Sequence, residues 1–170
     1  MAYSHREAIK KEFQTKVVEI KRVTRVVAGG KRMRFRALVV AGDRKGKVGI
    51  GVKKGTDVAE AIGKATAEAK KNMIEVPIVN DTIPHQIRIK FKAAQIILKP
   101  VPRGTGIVAG GPVRAVVDLA GIKNISSKML GSANKISNVR ATYEALRRLK
   151  RRNQESGIKN PETETLIHNS

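Results

Sequence analysis

The chain reads as an α+β protein of two small lobes. Three observations predict this. Residues 16–52 hold β-branched runs broken by glycine turns, with a Gly29-Gly30 pair at the first break. Residues 57–73, 112–121 and 137–149 each carry an apolar helical period with a start or stop signal. Pro77 and Pro84 bracket a stretch, with Asn80-Asp81 inside it, that belongs to neither pattern. The expected division is a flexible segment over 1–15, a first lobe over 16–75, a linker over 76–84, a second lobe over 85–152 and a disordered tail over 153–170.

Taken in order, Ser4 and Glu7 have capping-box spacing, and Ile9 and Phe13 lie four apart, so a short fraying helix is expected over 4–14. Lys16 to Val27 is dense in Val, Ile and Thr and reads as a strand. Gly29-Gly30 gives the positive φ that a tight hairpin needs, and Arg32 to Val40 returns as a second strand. Period two places Arg32, Arg34 and Arg36 on one face, with Met33 and Phe35 on the other, facing a core. Gly42 to Gly46 is a turn, with Asp43 as a turn residue, and Lys47 to Val52 is a third strand. Its Gly49 and Gly51 mark a bulge or a place where another chain comes close.

Asp57 and Glu60 form a capping box for a helix whose apolar face is Val58, Ile62, Ala65, Ala69 and Met73. His85 to Phe91 alternates Ile87, Ile89 and Phe91 against Arg88, Lys90 and Lys92, as a half-buried strand does. Gln95 to Leu98 is an apolar run ended by Pro100 and Pro102. A glycine loop, Gly104 to Gly111, precedes Pro112 at the first position of a helix with Val113, Val116, Val117 and Ala120 inward, stopped by Gly121. Ile122 to Met129 reads as a strand. Ser137 is the expected cap of a last helix with Val139, Tyr143, Leu146 and Leu149 inward.

Charge narrows the function. Lys and Arg number 35 against 14 Asp and Glu, a net charge of +21. From Lys16 to Lys54 there are thirteen Lys or Arg against Glu19 and Asp43. Such a field repels itself, and binding phosphate relieves it with counterion release. Nucleic acid is therefore the first expected partner. A membrane is not expected, since no apolar run nears the roughly 20 residues of a spanning helix. Aromatics are 3% with no Trp, which disfavours stacking platforms for single strands and favours phosphate and shape contacts. Cysteine is absent, so thiolate metal sites are excluded.

Enzymatic readings find little support. Gly104, Gly106 and Ala109 fit GxGxxG/A, but the ribose-binding acid roughly 20 residues on is missing, with no Asp or Glu between Asp118 and Glu144. His5, His85 and His168 have no partner at a useful spacing. No catalytic residue, metal site or cofactor is expected.

Several short motifs stand in a definite order: Gly29-Gly30-Lys31 before an Arg/Phe strand, Gly42-Asp43, Gly49-Ile50-Gly51, Lys71-Asn72-Met73, Gly104 to Gly111, Gly131-Ser132, and Val139-Arg140-Ala141-Thr142. Together, from about Val17 to Leu149, they resemble the bacterial small-subunit ribosomal protein S-five family. The resemblance implies a first lobe like a double-stranded-RNA-binding domain and a β-α-β-rich second lobe with a left-handed crossover. It implies a cytoplasmic, non-catalytic role in the small ribosomal subunit, bound to 16S rRNA, beside ribosomal proteins S-four and S-eight and near the channel through which mRNA enters, with an influence on decoding accuracy.

The rRNA-binding residues expected on this basis are Lys21, Arg22, Arg25, Gly29, Gly30, Lys31, Arg32, Arg34, Arg36, Lys53, Lys54, Asn134 and Arg140. Those expected to face S-four are Gly104, Thr105, Gly106, Gly110, Gly111 and Arg114. Ala28, Lys53 and Lys135 depart from the family's usual Lys, Gly and Pro. Two other classes compete: a free-standing double-stranded-RNA-binding module, which would bind any duplex of adequate length, and a nucleotide-dependent enzyme, which dinucleotides would stabilise.

Overall fold

The computed structural model describes residues 13–150. The tail over 153–170, His5, His168 and most of the helix expected over 4–14 lie outside them. Gln14, placed at that helix's end, instead opens the first strand.

Strand β1 (Gln14–Val27) turns through Gly29 and Gly30, at φ +88° and +147°, into β2 (Gly30–Gly42). Strand β3 (Lys47–Gly55), helix α1 (Val58–Lys71) and strand β4 (Met73–Glu75) complete an antiparallel sheet of order β1-β2-β3-β4. Asp43 makes the β2–β3 turn by accepting the N–H groups of Lys45 and Lys47 at 2.7 and 2.9 Å.

Helix α1 covers one face of this sheet. Its buried stripe is Ala61, Ala65 and Ala69, flanked by the half-buried Val58 and Ile62. Met73, assigned by period to that stripe, instead begins β4. The helix lies close because β3 presents Gly49, Gly51 and Gly55 to it. A Cβ at Gly51 would sit 1.9 Å from the Ala65 carbonyl oxygen, and one at Gly49 would sit 2.0 Å from that of Ala69. What comes close at these glycines is the protein's own helix α1, where a second chain or a bulge was expected. Asp57 caps α1, accepting from Ala59 N–H at 3.4 Å. Glu60 reaches back to the Thr56 N–H and hydroxyl, one residue further than a capping box requires.

The second sheet has the order β5-β6-β8-β7, from β5 (Ile87–Phe91), β6 (Ala94–Pro100), β7 (Ile107–Val108) and β8 (Ile125–Gly131). Strands β7 and β8 run parallel, joined by helix α2 (Gly111–Ala120). Pro112 sits in the first turn of α2, and Gly121 ends it in the left-handed region at φ +87°. Helix α3 (Lys135–Arg147) closes the second lobe. Its cap is Asn134, which accepts from Ile136 N–H at 3.0 Å, whereas Ser137, the expected cap, lies inside the helix.

The two lobes share one core. Leu38, Val40 and Val48 of the first sheet pack in the same cluster as Ile83, Val113, Val116 and Leu119. The C-terminus of α2 is finished by the other lobe. Leu119 and Ala120 carbonyls accept from the Arg44 and Gly46 N–H groups of the β2–β3 turn, at 3.0 and 2.9 Å. Asp118 stands 3.8 Å from Lys16 and 3.9 Å from Arg44. Between the sheets, Val76 and Ile83 are buried, and the Asp81 carbonyl accepts from the Lys123 and Asn124 N–H groups.

Candidate nucleic-acid interface

The β1–β2 hairpin outgrows the sheet that supports it. Strand β3 pairs with β2 only as far as Phe35, so the pairs from Val23–Arg34 to Val27–Gly30 have no third strand. Beyond Phe35 the arm is wet on both faces. Val26 is 75% exposed and Met33 56%. The expectation that Met33 faces a core is therefore corrected: period two is right, but at this height no element lies opposite. Phe35, two residues nearer the body, does pack against Ala37, Val39, Ala61 and Ala65.

Register sorts the cations, because directly paired residues share a face. Lys21 pairs with Arg36, which pairs in turn with Lys54; Arg34 pairs with Val23 and Arg32 with Arg25. One face thus gathers Lys21, Arg25, Arg32, Arg34, Arg36 and Lys54. Val23, Thr24, Arg25, Val27, Arg32, Arg34 and Lys54 line a groove of about 400 Å³ on the arm. The opposite face carries Arg22, paired with Phe35, and Lys31, paired with Val26.

Among the described residues, Arg22, Arg25, Lys31, Arg32, Arg34, Arg36 and Lys54 have no carboxylate within ion-pair distance. The carboxylates sit lower, at the arm's foot or on the body. Glu19 meets Lys21 at 3.5 Å and Lys135 at 3.6 Å. Lys53 is held by Glu68 at 3.1 Å, so this expected RNA contact is already engaged within the fold. A two-stranded ribbon with unneutralised guanidinium groups on both faces suits insertion between phosphate strands.

Two expected contacts lie off the arm. Asn134 is half a helix cap and half a neighbour of the arm's foot, through the Lys135–Glu19 pair. Arg140 is exposed on α3 and lines a cleft between the lobes with Ile50, Val52 and Tyr143. Neither shares the arm's groove.

The glycine loop is built from a residue that sequence reasoning missed. Asn124, 6% exposed, accepts the N–H groups of Gly104 at 3.1 Å and Gly106 at 3.0 Å through its carboxamide oxygen. Both glycines have positive φ, +93° and +75°. Ile125 N–H then donates to the Gly106 carbonyl, which starts the parallel β7–β8 pairing. Gly104, Thr105, Gly111 and Arg114 are exposed, and so is Val108, while Gly110 caps α2 against Met129. A buried Asn after an apolar helix was the available signal; its spacing of 18 and 20 residues from the glycines hid it.

Residues 13–77, which include the whole arm, match the family model described as Ribosomal protein S5, N-terminal domain. Residues 89–156 match that described as Ribosomal protein S5, C-terminal domain. The chain belongs to the ribosomal protein S5 family. S5 proteins are structural proteins of the small ribosomal subunit and bind RNA in translation. The two-lobed α+β architecture agrees with the two S5 domains. The cationic arm falls within the N-terminal S5 domain, and the glycine loop and α3 within the C-terminal one.

Proposed function

We propose that this S5 protein docks on small-subunit 16S rRNA through the β1–β2 arm, as a wedge. Arg25, Arg32, Arg34, Arg36 and Lys54 neutralise phosphates on one face, and Arg22 and Lys31 do so on the other. Gly29 and Gly30 bring bare backbone to the RNA at the tip. Carrying this reading is the arm with its foot: seven cations without a carboxylate partner among the described residues, of which Arg25, Lys31, Arg32 and Arg34 stand on the ribbon past the end of β3 and Arg22, Arg36 and Lys54 at its base. Exposed cations are costly to crowd and gain most from phosphate. Asn134 and Arg140 are proposed as RNA contacts outside the arm.

The loop surface formed by the exposed Gly104, Thr105, Gly111 and Arg114 with the half-buried Gly106 and Gly110 is proposed to face ribosomal protein S-four, where a shift of the interface would alter decoding accuracy. The S-eight neighbour and the path of entering mRNA come with the family resemblance. The division into lobes over 16–75 and 85–152 is proposed on the same footing.

Gly30→Asp tests the wedge. A Cβ at Gly30 meets nothing within 4 Å, so the cost to the fold is limited to its φ of +147°. Added negative charge at the tip meets RNA directly. Small subunits reconstituted with the variant should take it up poorly, while the thermal midpoint of the full chain moves little. Equal losses in uptake and in stability refute the wedge. A tagged wild-type copy should also sediment with small subunits through moderate salt; retention on any duplex instead would favour a free-standing double-stranded-RNA module.

A further inference from the structure

The gap between the lobes brings a second kind of RNA chemistry together. Strand β3 loses its β4 partner after Gly49, which leaves an open edge from Ile50 onward. Glu68 covers part of that edge by accepting the Val52 N–H at 2.7 Å. Across the gap stands α3, whose Tyr143 hydroxyl donates to the Asn72 carbonyl at 3.0 Å. Between them lies a cavity of about 280 Å³, floored by Ile50 and Val52 and walled by Phe91 and Tyr143. That volume is close to the ~300 Å³ at which pockets for drug-sized ligands begin, room for one ring system.

Phe91 and Tyr143 are two of only five aromatic residues in the chain. A chain too poor in aromatics for a stacking platform still sets two around one cavity.

Charge selects the occupant. The cavity's two carboxylates have cations of their own, Glu68 with Lys53 at 3.1 Å and Glu144 with Arg147 at 3.9 Å. Arg140, exposed on the rim, has no carboxylate within ion-pair distance among the described residues. Counting Lys53 and Arg147, which stand outside the lining, the local balance is one positive charge beside an aromatic, apolar slot. A cationic side chain from a partner would meet neutralised carboxylates and a bare guanidinium. A nucleotide matches: its ring suits the aromatic walls and its phosphate the guanidinium.

We infer that this cleft receives one unstacked nucleotide of an RNA strand, with its base against Phe91 and Tyr143 and its phosphate on Arg140. The inference rests on the RNA-binding reading above and adds an RNA contact at the seam of the lobes, apart from the arm.

The test uses the full chain carrying Arg32→Ala and Arg34→Ala, so that the arm contributes less. A single-stranded hexanucleotide should shift the amide resonances of Asn72, Tyr143 and Glu144. Tyr143→Leu should weaken this binding about 5-fold or more, the scale of one base–aromatic stack. Tyr143→Phe keeps the ring and should keep the affinity. No shift, the same shifts from inorganic phosphate, or a Tyr143→Phe loss as large as that of Tyr143→Leu would each overturn the inference. Ultraviolet crosslinking of reconstituted subunits separates the two readings. Particles crosslinked at the arm but not at Phe91 or Tyr143 sink the cleft alone; a chain that never enters the particle sinks both.

Discussion

Replacing Gly51 by Ala tests whether glycines seat α1 on the first sheet. The new methyl would lie 1.9 Å from the Ala65 carbonyl oxygen and 2.9 Å from Ala69 N. Those atoms are helix backbone, with no rotamer to escape into, so strand and helix must part by about 1 Å to restore a separation near 3 Å. A radial gap of 0.5–1 Å forfeits roughly a quarter to a half of each dispersion well. Ala61, Ala65 and Ala69, all at 0% exposure, would loosen from the sheet together. Overpacking of this sort costs about 1–3 kcal/mol, and the rigid obstacle places Gly51→Ala near the top of that range. For a chain of this length the midpoint should fall by roughly 5–10 °C.

Gly29→Ala is the matched control. Its Cβ would meet nothing within 4 Å, but φ is +88°, so the cost is backbone strain alone, about 1 kcal/mol. Thermal melts followed by circular dichroism decide the matter. A Gly51→Ala midpoint equal to wild type, or above that of Gly29→Ala, would refute the argument from close approach.

Three other outcomes follow from the arm, the glycine loop and the first turn of α1. Arg32→Ala with Arg34→Ala should lower the slope of log affinity against log salt by about 0.7–0.9 for each phosphate no longer neutralised, with the melting midpoint unchanged; an unaltered slope would remove these side chains from the interface. Asn124→Ala strands the Gly104 and Gly106 N–H groups and should cost about 1–3 kcal/mol, with faster hydrogen exchange confined to the glycine loop; global exchange instead would assign Asn124 to the core. The Lys64 ammonium, and after it Thr56, hold the Glu60 carboxyl at about 2, below its ordinary 4.5. Its contribution is therefore whole above 4.5 and is lost as pH falls toward 2. Melts of Glu60→Gln should depend less on pH in that window than wild type does, and identical dependence would dismiss the link.

What could be read in the sequence was local. The hairpin turn, α1 with Asp57 at its start, and α2 between Pro112 and Gly121 all follow from signals within a few residues of the elements they define. What escaped depends on distant partners. Strand β4, three residues long, exists because Met73 and Ile74 pair with Gly49 and Val48. Strand β7, two residues inside an apparent loop, exists because β8 runs beside it. Asn134 and Ser137 both have capping chemistry, and the turn from Ser132 decides between them, since the Asn134 N–H donates to the Ser132 hydroxyl at 3.1 Å. For the site, the cations were legible residue by residue. Their distribution over two wet faces was not, because nothing local records that β3 stops pairing at Phe35.

The seam at the end of α2 has a consequence for how the molecule comes into being. The β2–β3 turn is made early in synthesis, but the carbonyls that its Arg44 and Gly46 N–H groups meet belong to residues some 75 positions later. Until Leu119 and Ala120 have left the ribosome making them, the front sheet waits with Leu38, Val40 and Val48 uncovered. A nascent S5 chain thus spends much of its own translation with a greasy flank and a cationic ribbon on display, a form that chaperones and stray RNA can both seize.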